Sequence, residues 1–285
     1  MPASVDPTRA EQRILEAVPR IPPGGAITGW ASLRVWGGGF FDGLAADGVT
    51  EVPVPLVVPQ TVRLSPSQQL HLFRAAMDPR EIRNPHGFPI SSPERAVLDE
   101  VRRATDLRDA VVVVDMALVA GLTSMLRLHD IANAYRGRPG CQQLGRALAH
   151  ASDRSRSPQE TRMRLIWTID AGLPAPRCNW PIADYLRKPL GKPDLLCEEL
   201  GVFGEYDGAD HRTRQRHQVD VKREQAFRDA GLEGFTLVGE DINNPRQAVE
   251  RMKAAINRAA EAQRARRWLV ARNPGPLLKG ANLFD

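Results

Sequence analysis

Only three cysteines occur in 285 residues, Cys141, Cys178 and Cys197, far apart and without a CxxC pair. That scarcity excludes a disulfide framework and a cysteine-built zinc site, and a reducing cytoplasm fits it best. No run of about 18 apolar residues is available to cross a bilayer. The first residues, Met1-Pro-Ala-Ser-Val-Asp-Pro7, have neither the basic nor the apolar stretch of a secretory leader. A cytoplasmic protein without membrane association is therefore expected. His71, His86, His129 and His150 are too dispersed to form a ligand set, and His217 reads as exposed. Gly37-Gly38-Gly39 lacks the preceding strand and the following Lys-Ser/Thr of a phosphate loop, so no small-molecule cofactor is expected. Internal repeats and low-complexity tracts are absent as well.

What remains is an ordinary globular composition, 42% hydrophobic and 26% charged, in a chain long enough for two domains. Net charge is +5, with a sequence pI near 9.4. Residues 1–150 are close to neutral and contain no lysine, so the excess lies in the second half. Between 251 and 272 stand Arg251, Lys253, Arg258, Arg264, Arg266, Arg267 and Arg272 against Glu261 alone. A basic tract on a helical pattern suits phosphate contact, and a solvated amphipathic helix explains it equally well.

In the first half, 8–19 reads as a short helix stopped by Ile21-Pro-Pro-Gly-Gly25, and a second helix begins at Thr28 and ends at Gly37. Residues 52–58 and Thr61–Leu64 read as strands, their prolines favouring an edge. Residues 80–92 suggest a hairpin-like element. Ser91-Ser92-Pro93-Glu94 carries helix-start signals. Helices are expected after it, over Leu107–Ala120, Thr123–Tyr135 and Cys141–Ala151. The polar Ser152–Ser157 run, followed by Pro158, is the expected domain boundary.

In the second half, Ser157-Pro158-Gln159-Glu160 opens a helix with a cap and a first-turn proline. Glu160, Met163 and Trp167 share one stripe of it. A carboxylate on an apolar stripe wants a partner; for Glu160 alone a first-turn Glu favoured by the helix dipole is the plainer reading, and beside Asp194 and Glu205 the partnered reading is preferred. Asn179–Ile182 reads as a strand. Leu195-Leu196-Cys197 and Val202-Phe203 flank Glu198-Glu199-Leu200-Gly201, the pattern of a hairpin with a four-residue loop. If Cys197 pairs with Val202, Asp194 stands opposite Glu205, with Cβ atoms about 5 Å apart and like charges destabilising. Alternation adds Asp207 to the same face. A hard divalent cation would relieve such a cluster. Further on, a helix over Gln218–Gly231, a strand at Phe235–Val238 and a long helix from Asn244-Pro245 to about Ala271 are expected.

Two resemblances follow. The segments Thr28–Gly37 and Gly87–Asp99 resemble AbiEi-type antitoxin proteins over roughly 25–150. Members of that superfamily often start with a DNA-reading winged helix; here the Trp30-Ala31 helix begins too early for one. The motifs Ser157-Pro-Gln-Glu160, Pro193-Asp194, Glu205-Tyr-Asp-Gly-Ala-Asp-His211 and Asp220-Val-Lys-Arg223, with Phe227 and Gly231, resemble the PD-(D/E)xK nucleases. Within that group they are most similar to the very-short-patch-repair (Vsr-like) branch, over about 155–250.

The fold class so implied is an α+β module over 1–151 followed by an α/β restriction-endonuclease-like domain over 152–285, a mixed sheet flanked by helices. The implied site holds Mg²⁺ or Mn²⁺ on Asp194, Glu205, the Tyr206 carbonyl and Glu160, and the implied substrate is DNA. Asp207 stands where the wider family has a lysine, as it does in the Vsr-like branch, and His211 becomes the candidate acid/base or phosphate contact. Lys192, Lys222, Arg223, Arg264, Arg266 and Arg267 are the candidate nucleic-acid contacts. The antitoxin resemblance adds a cognate toxin as a second candidate partner. The competing expectation is an inert antitoxin-like regulator that keeps the nuclease fold as a scaffold.

Overall fold

A computed structural model describes residues 9–208, 223–262 and 264–271. The chain divides into two compact units, Met1–Asp153 and Arg154–Asp285. Both mix helices with mixed sheets, an α/β composition throughout. Among the described residues no helix is long and apolar enough to cross a membrane.

The first unit opens with α1 (Ala10–Ala17), followed by β1 (Ala26–Ile27) and α2 (Gly29–Val35), whose N-cap is Thr28. β1 joins β2 (Val54–Val58), β3 (Leu70–Arg74), β4 (Ile82–Arg83) and β5 (Ile90–Ser91) in the order β3-β2-β1-β5-β4. Pro53 and Pro55 argued for an edge, yet β2 is interior. Pro55 lies just past the β1 ladder: its carbonyl takes the Thr28 N–H, and the Thr28 carbonyl takes the Ser32 N–H. The N–H that proline lacks therefore has no acceptor waiting for it. Thr61–Leu64 is irregular rather than a strand, and its Val62 and Leu64 carbonyls accept the Arg74 guanidinium from β3. Four helices complete the unit: α3 (Pro93–Arg103), α4 (Leu107–Val119), α5 (Met125–Ala134) and α6 (Cys141–Leu148). Ser92, Asp106 and Ser124 accept first-turn amides from α3, α4 and α5.

The second unit begins with α7 (Pro158–Leu165), which runs on into a wider turn, Ile166–Asp170. A four-stranded sheet follows, ordered β11-β10-β9-β6: β6 (Arg177–Cys178), β9 (Leu195–Cys197), β10 (Val202–Tyr206) and β11 (Glu233–Leu237). β9 and β10 are antiparallel, β10 and β11 parallel. A smaller sheet joins β7 (Ile182–Asp184) to β8 (Pro189–Gly191) and to β12 (Trp268–Val270). Helix α8 covers 223–229, α9 Gly239–Asn243 and α10 Pro245–Ala262.

The larger sheet carries an apolar layer on each face. On one, Leu195, Cys197 and Val202 pack with Met163, Trp167, Phe235, Leu237 and Met252. Trp167 stacks on Phe235 at 5.8 Å. On the other, Leu196 and Phe203 pack with Phe227, Leu232 and Trp268, and Phe203 meets Phe227 edge-on at 4.9 Å. Fully burying aromatics of this size contributes about 1.5–3 kcal/mol each. Two sequence expectations are corrected here. The strand expected at Asn179–Ile182 is split, because Asn179 adopts a left-handed conformation (φ 49°) between β6 and β7. The final helix stops at Ala262, and residues 268–270 form a strand against β7 instead.

Candidate metal and phosphate site

β9 and β10 pair in the register expected from sequence, Val202 with Cys197 and Gly204 with Leu195. Continued by one residue, that register would set Asp194 opposite Glu205, just past the last paired residues. Gly201 closes the connecting loop in a left-handed turn (φ 63°), which glycine adopts without a Cβ penalty. Asp194 Oδ2 accepts the Tyr206 N–H at 2.8 Å, taking the place of a strand partner. In an extended strand the N–H and C=O of one residue point to the same edge, so the Tyr206 carbonyl faces the Asp194 side too. Asp207 continues the β10–β11 ladder, its amide donating to the Leu237 carbonyl, and alternation puts its side chain on the Glu205 face.

Glu160 arrives from the helical layer on the opposite face, in the first turn of α7. Ser157 Oγ donates to Glu160 Oε1 at 3.1 Å and accepts the Glu160 amide at 3.2 Å. The Arg156 amide and Asn179 Nδ2 both donate to Oε2, at 2.8 and 2.6 Å. Glu160 thus closes the cap of its helix and also finds a partner in Asn179, while lying close enough to act on Asp194. Burial first and the Glu160 charge second push the Asp194 carboxyl up to about 6, against the Tyr206 amide and the Arg223 and Arg156 charges.

Positive charge surrounds these acids. Arg223, on α8, places Nη2 3.1 Å from Glu205 Oε2. Lys192 has its ammonium pushed below the usual lysine range, by burial and then by Arg156 and Arg154. Of the basic stretch, Arg264 pairs with Glu233 at 3.3 Å, and Arg266 pairs with Glu198 at 2.7 Å while covering the Trp268 ring. These two guanidiniums are engaged within the unit, and α10 ends before them, so the basic residues expected on one helix are divided between α10 and the stretch that leads into β12. Arg267 is exposed, and its amide donates to the Ala230 carbonyl. His211 and Lys222 lie outside the described residues.

Among the described residues no three His, Cys, Asp or Glu side chains are gathered as a metal cage would gather them. The residues fit a hard cation in a leaner way: Asp194 and Glu205, on adjacent strands one residue past the paired ladder, with the Tyr206 carbonyl toward the Asp194 side. Mg²⁺ needs no more than one or two carboxylates from protein, taking water and phosphate oxygens for the rest. A cation bound there would offset the burial and the Glu160 charge that push the Asp194 carboxyl up.

Sequence reasoning missed Asn179, Arg154 and Arg156. Asn179 ties β6 to both the Glu160 carboxylate and the Arg154 carbonyl, and its amide donates to the Asp194 carbonyl at 3.3 Å. An asparagine before Trp-Pro, tolerant of the left-handed region, was the available signal. Comparison with protein-family models, curated proteins and solved structures gave no match.

Proposed function

We propose that the second unit is a metal-dependent nuclease of the Vsr-like PD-(D/E)xK kind, hydrolysing phosphodiester bonds in DNA. What supports this reading is the β9–β10 register, which continued by one residue sets Asp194 opposite Glu205, among Lys192, Arg156 and Arg223. Asp194, Glu205 and the Tyr206 carbonyl would hold Mg²⁺ or Mn²⁺. When bound, that ion polarises the scissile phosphate and lowers the pKa of the attacking water. Glu160 sets the charge felt by Asp194 and fixes the first turn of α7. Lys192 and Arg156 attract the phosphate backbone, and with a salt-dependent affinity. His211 is the candidate proton carrier at the leaving oxygen.

A second reading, an inert DNA- or toxin-binding regulator linked to the antitoxin-like first unit, is favoured by the Arg223–Glu205 ion pair. That pair occupies one carboxylate with an internal cation. Supercoiled plasmid incubated with Mg²⁺ or Mn²⁺ decides between them. The nuclease reading expects nicking that vanishes in Asp194→Asn; equal background in wild type and variant would leave only the regulator.

A further inference from the structure

Arg223 reaches Glu205 from another element, and the route is built for it. Helix α8 is held on this face of the sheet by Phe227 against Phe203. The aliphatic stem of Arg223 crosses Gly191, the last residue of β8. A Cβ at Gly191 would stand 3.0 Å from Arg223 Cδ and 3.1 Å from Phe227 Cζ, in a backbone conformation (φ +145°) that side chains rarely adopt. Glycine there lets the stem lie flat and aims the guanidinium at a carboxylate only 16% exposed. Its charge also reaches Asp194, where burial and Glu160 push the other way. Asp207 denies this strand the ammonium that a lysine would supply.

We propose that Arg223 and a divalent cation hold Glu205 in turn, and that Arg223, once displaced, supplies the positive charge that meets the phosphate oxygens. Two cations cannot both sit tightly on one half-buried carboxylate without repelling each other. A cation binding Asp194 and Glu205 therefore pushes the guanidinium outward along Gly191, toward the side on which Lys192 follows β8. There a planar fork of N–H donors matches phosphate geometry. The proposal depends on the nuclease reading for the identity of the phosphate, and on the Arg223–Glu205 pair alone for the exchange.

Mn²⁺ is titrated into the full chain and followed by thermal shift, for wild type, Arg223→Gln and Arg223→Lys, with plasmid nicking measured beside it. A charge beside a carboxylate alters its affinity for a proton by about ten- to a thousandfold, and a metal ion should feel a similar effect. Arg223→Gln is expected to lower the half-saturating Mn²⁺ on the order of tenfold while cutting nicking by about 10²-fold or more, as loss of one charge-stabilising group does. Arg223→Lys should fall between Gln and wild type in both readouts, and it carries the comparison should Gln fail to fold. An unchanged or raised Mn²⁺ requirement in either variant overturns the exchange, even if wild type nicks DNA. A lowered requirement in a protein that never nicks leaves the exchange standing and removes the nuclease reading. No Mn²⁺ response in any of the three proteins overturns both.

Discussion

Asp194 holds the Tyr206 amide at 2.8 Å from just past the last paired residues of the β9–β10 ladder. The side chain therefore has a structural duty as well as a charge. Asp194→Ala leaves the Tyr206 N–H without that acceptor, at a cost of about 1–3 kcal/mol. Asp194→Asn keeps an acceptor oxygen and should be more stable than Asp194→Ala in chelator, while losing the Mn²⁺ response. Urea unfolding of both variants separates the two duties; equal stability of Ala and Asn would remove the structural one.

The same carboxyl gives the metal-free protein a pH signature. Its folded pKa is raised from 3.8 to about 6, by burial and by Glu160, so the folded state binds more protons than the unfolded state between these values. Stability linked to this group is greatest below pH 4 and declines as pH rises to 6. Asp194→Asn carries no such penalty. Its stability relative to wild type should grow from pH 4 to pH 6 and level off above; a flat difference would contradict the coupling.

In the first unit, a buried network links α3 to the sheet. Arg95 Nε donates to Asp99 Oδ2 at 3.0 Å, the Thr28 hydroxyl donates to the same oxygen at 2.7 Å, and Tyr135 donates to Glu81, which also pairs with Arg95. Arg95 and Asp99 are 3% and 2% exposed. Asp99→Ala takes the nearer of two carboxylate partners from the buried Arg95 guanidinium and should cost about 3–5 kcal/mol, whereas Arg95→Met with Asp99→Leu should cost much less. Chemical denaturation of single and double variants measures the difference. A double variant as unstable as the single one would contradict it.

Gly204 and Gly234 face aromatic rings across the second sheet. A Cβ at Gly204 would overlap the Phe235 ring, and one at Gly234 the Phe203 ring. Gly204→Ala should cost about 1–3 kcal/mol through overpacking. Gly39→Ala, where a Cβ meets only open space, is the control and should be close to neutral. Comparable losses in both would show that backbone freedom, rather than ring contact, is what Gly204 provides.

DNA binding should depend unequally on the basic residues. Arg264 and Arg266 are tied to Glu233 and Glu198, so their replacement by Gln should barely change the salt dependence of binding. Lys192→Gln and Arg156→Gln should each reduce the slope of log K against log salt by about 0.9 if each contacts one phosphate of a duplex. A larger loss from the Arg264 and Arg266 changes would return the interface to the tail.

The central hairpin was legible because three signals agreed: apolar runs of strand length, a Gly-bearing loop of four, and alternation that fixed the register. Helix starts at Ser92 and Ser157 were legible for a similar reason, since a Ser-Pro pair states both the cap and the first turn. The expected strands and helices failed where local signals misled. Leu70–Arg74 carries a histidine and no flanking alternation, so β3 is visible only through its pairing with β2. The run from Arg264 to Val270 reads as helix by charge, yet Trp268 and Val270 find their partners in β7, far away in sequence. The Arg223–Glu205 contact was hidden for the same reason, since nothing at 223 announces a carboxylate on another strand.

Divalent-ion stoichiometry tests the shared site most directly. Mn²⁺ binding to the full chain, measured by electron paramagnetic resonance in wild type, Asp194→Asn and Glu205→Gln, should show tight binding in wild type that either substitution abolishes. Undiminished Mn²⁺ binding in both variants would place the ion elsewhere and dissolve the pairing of these two carboxylates.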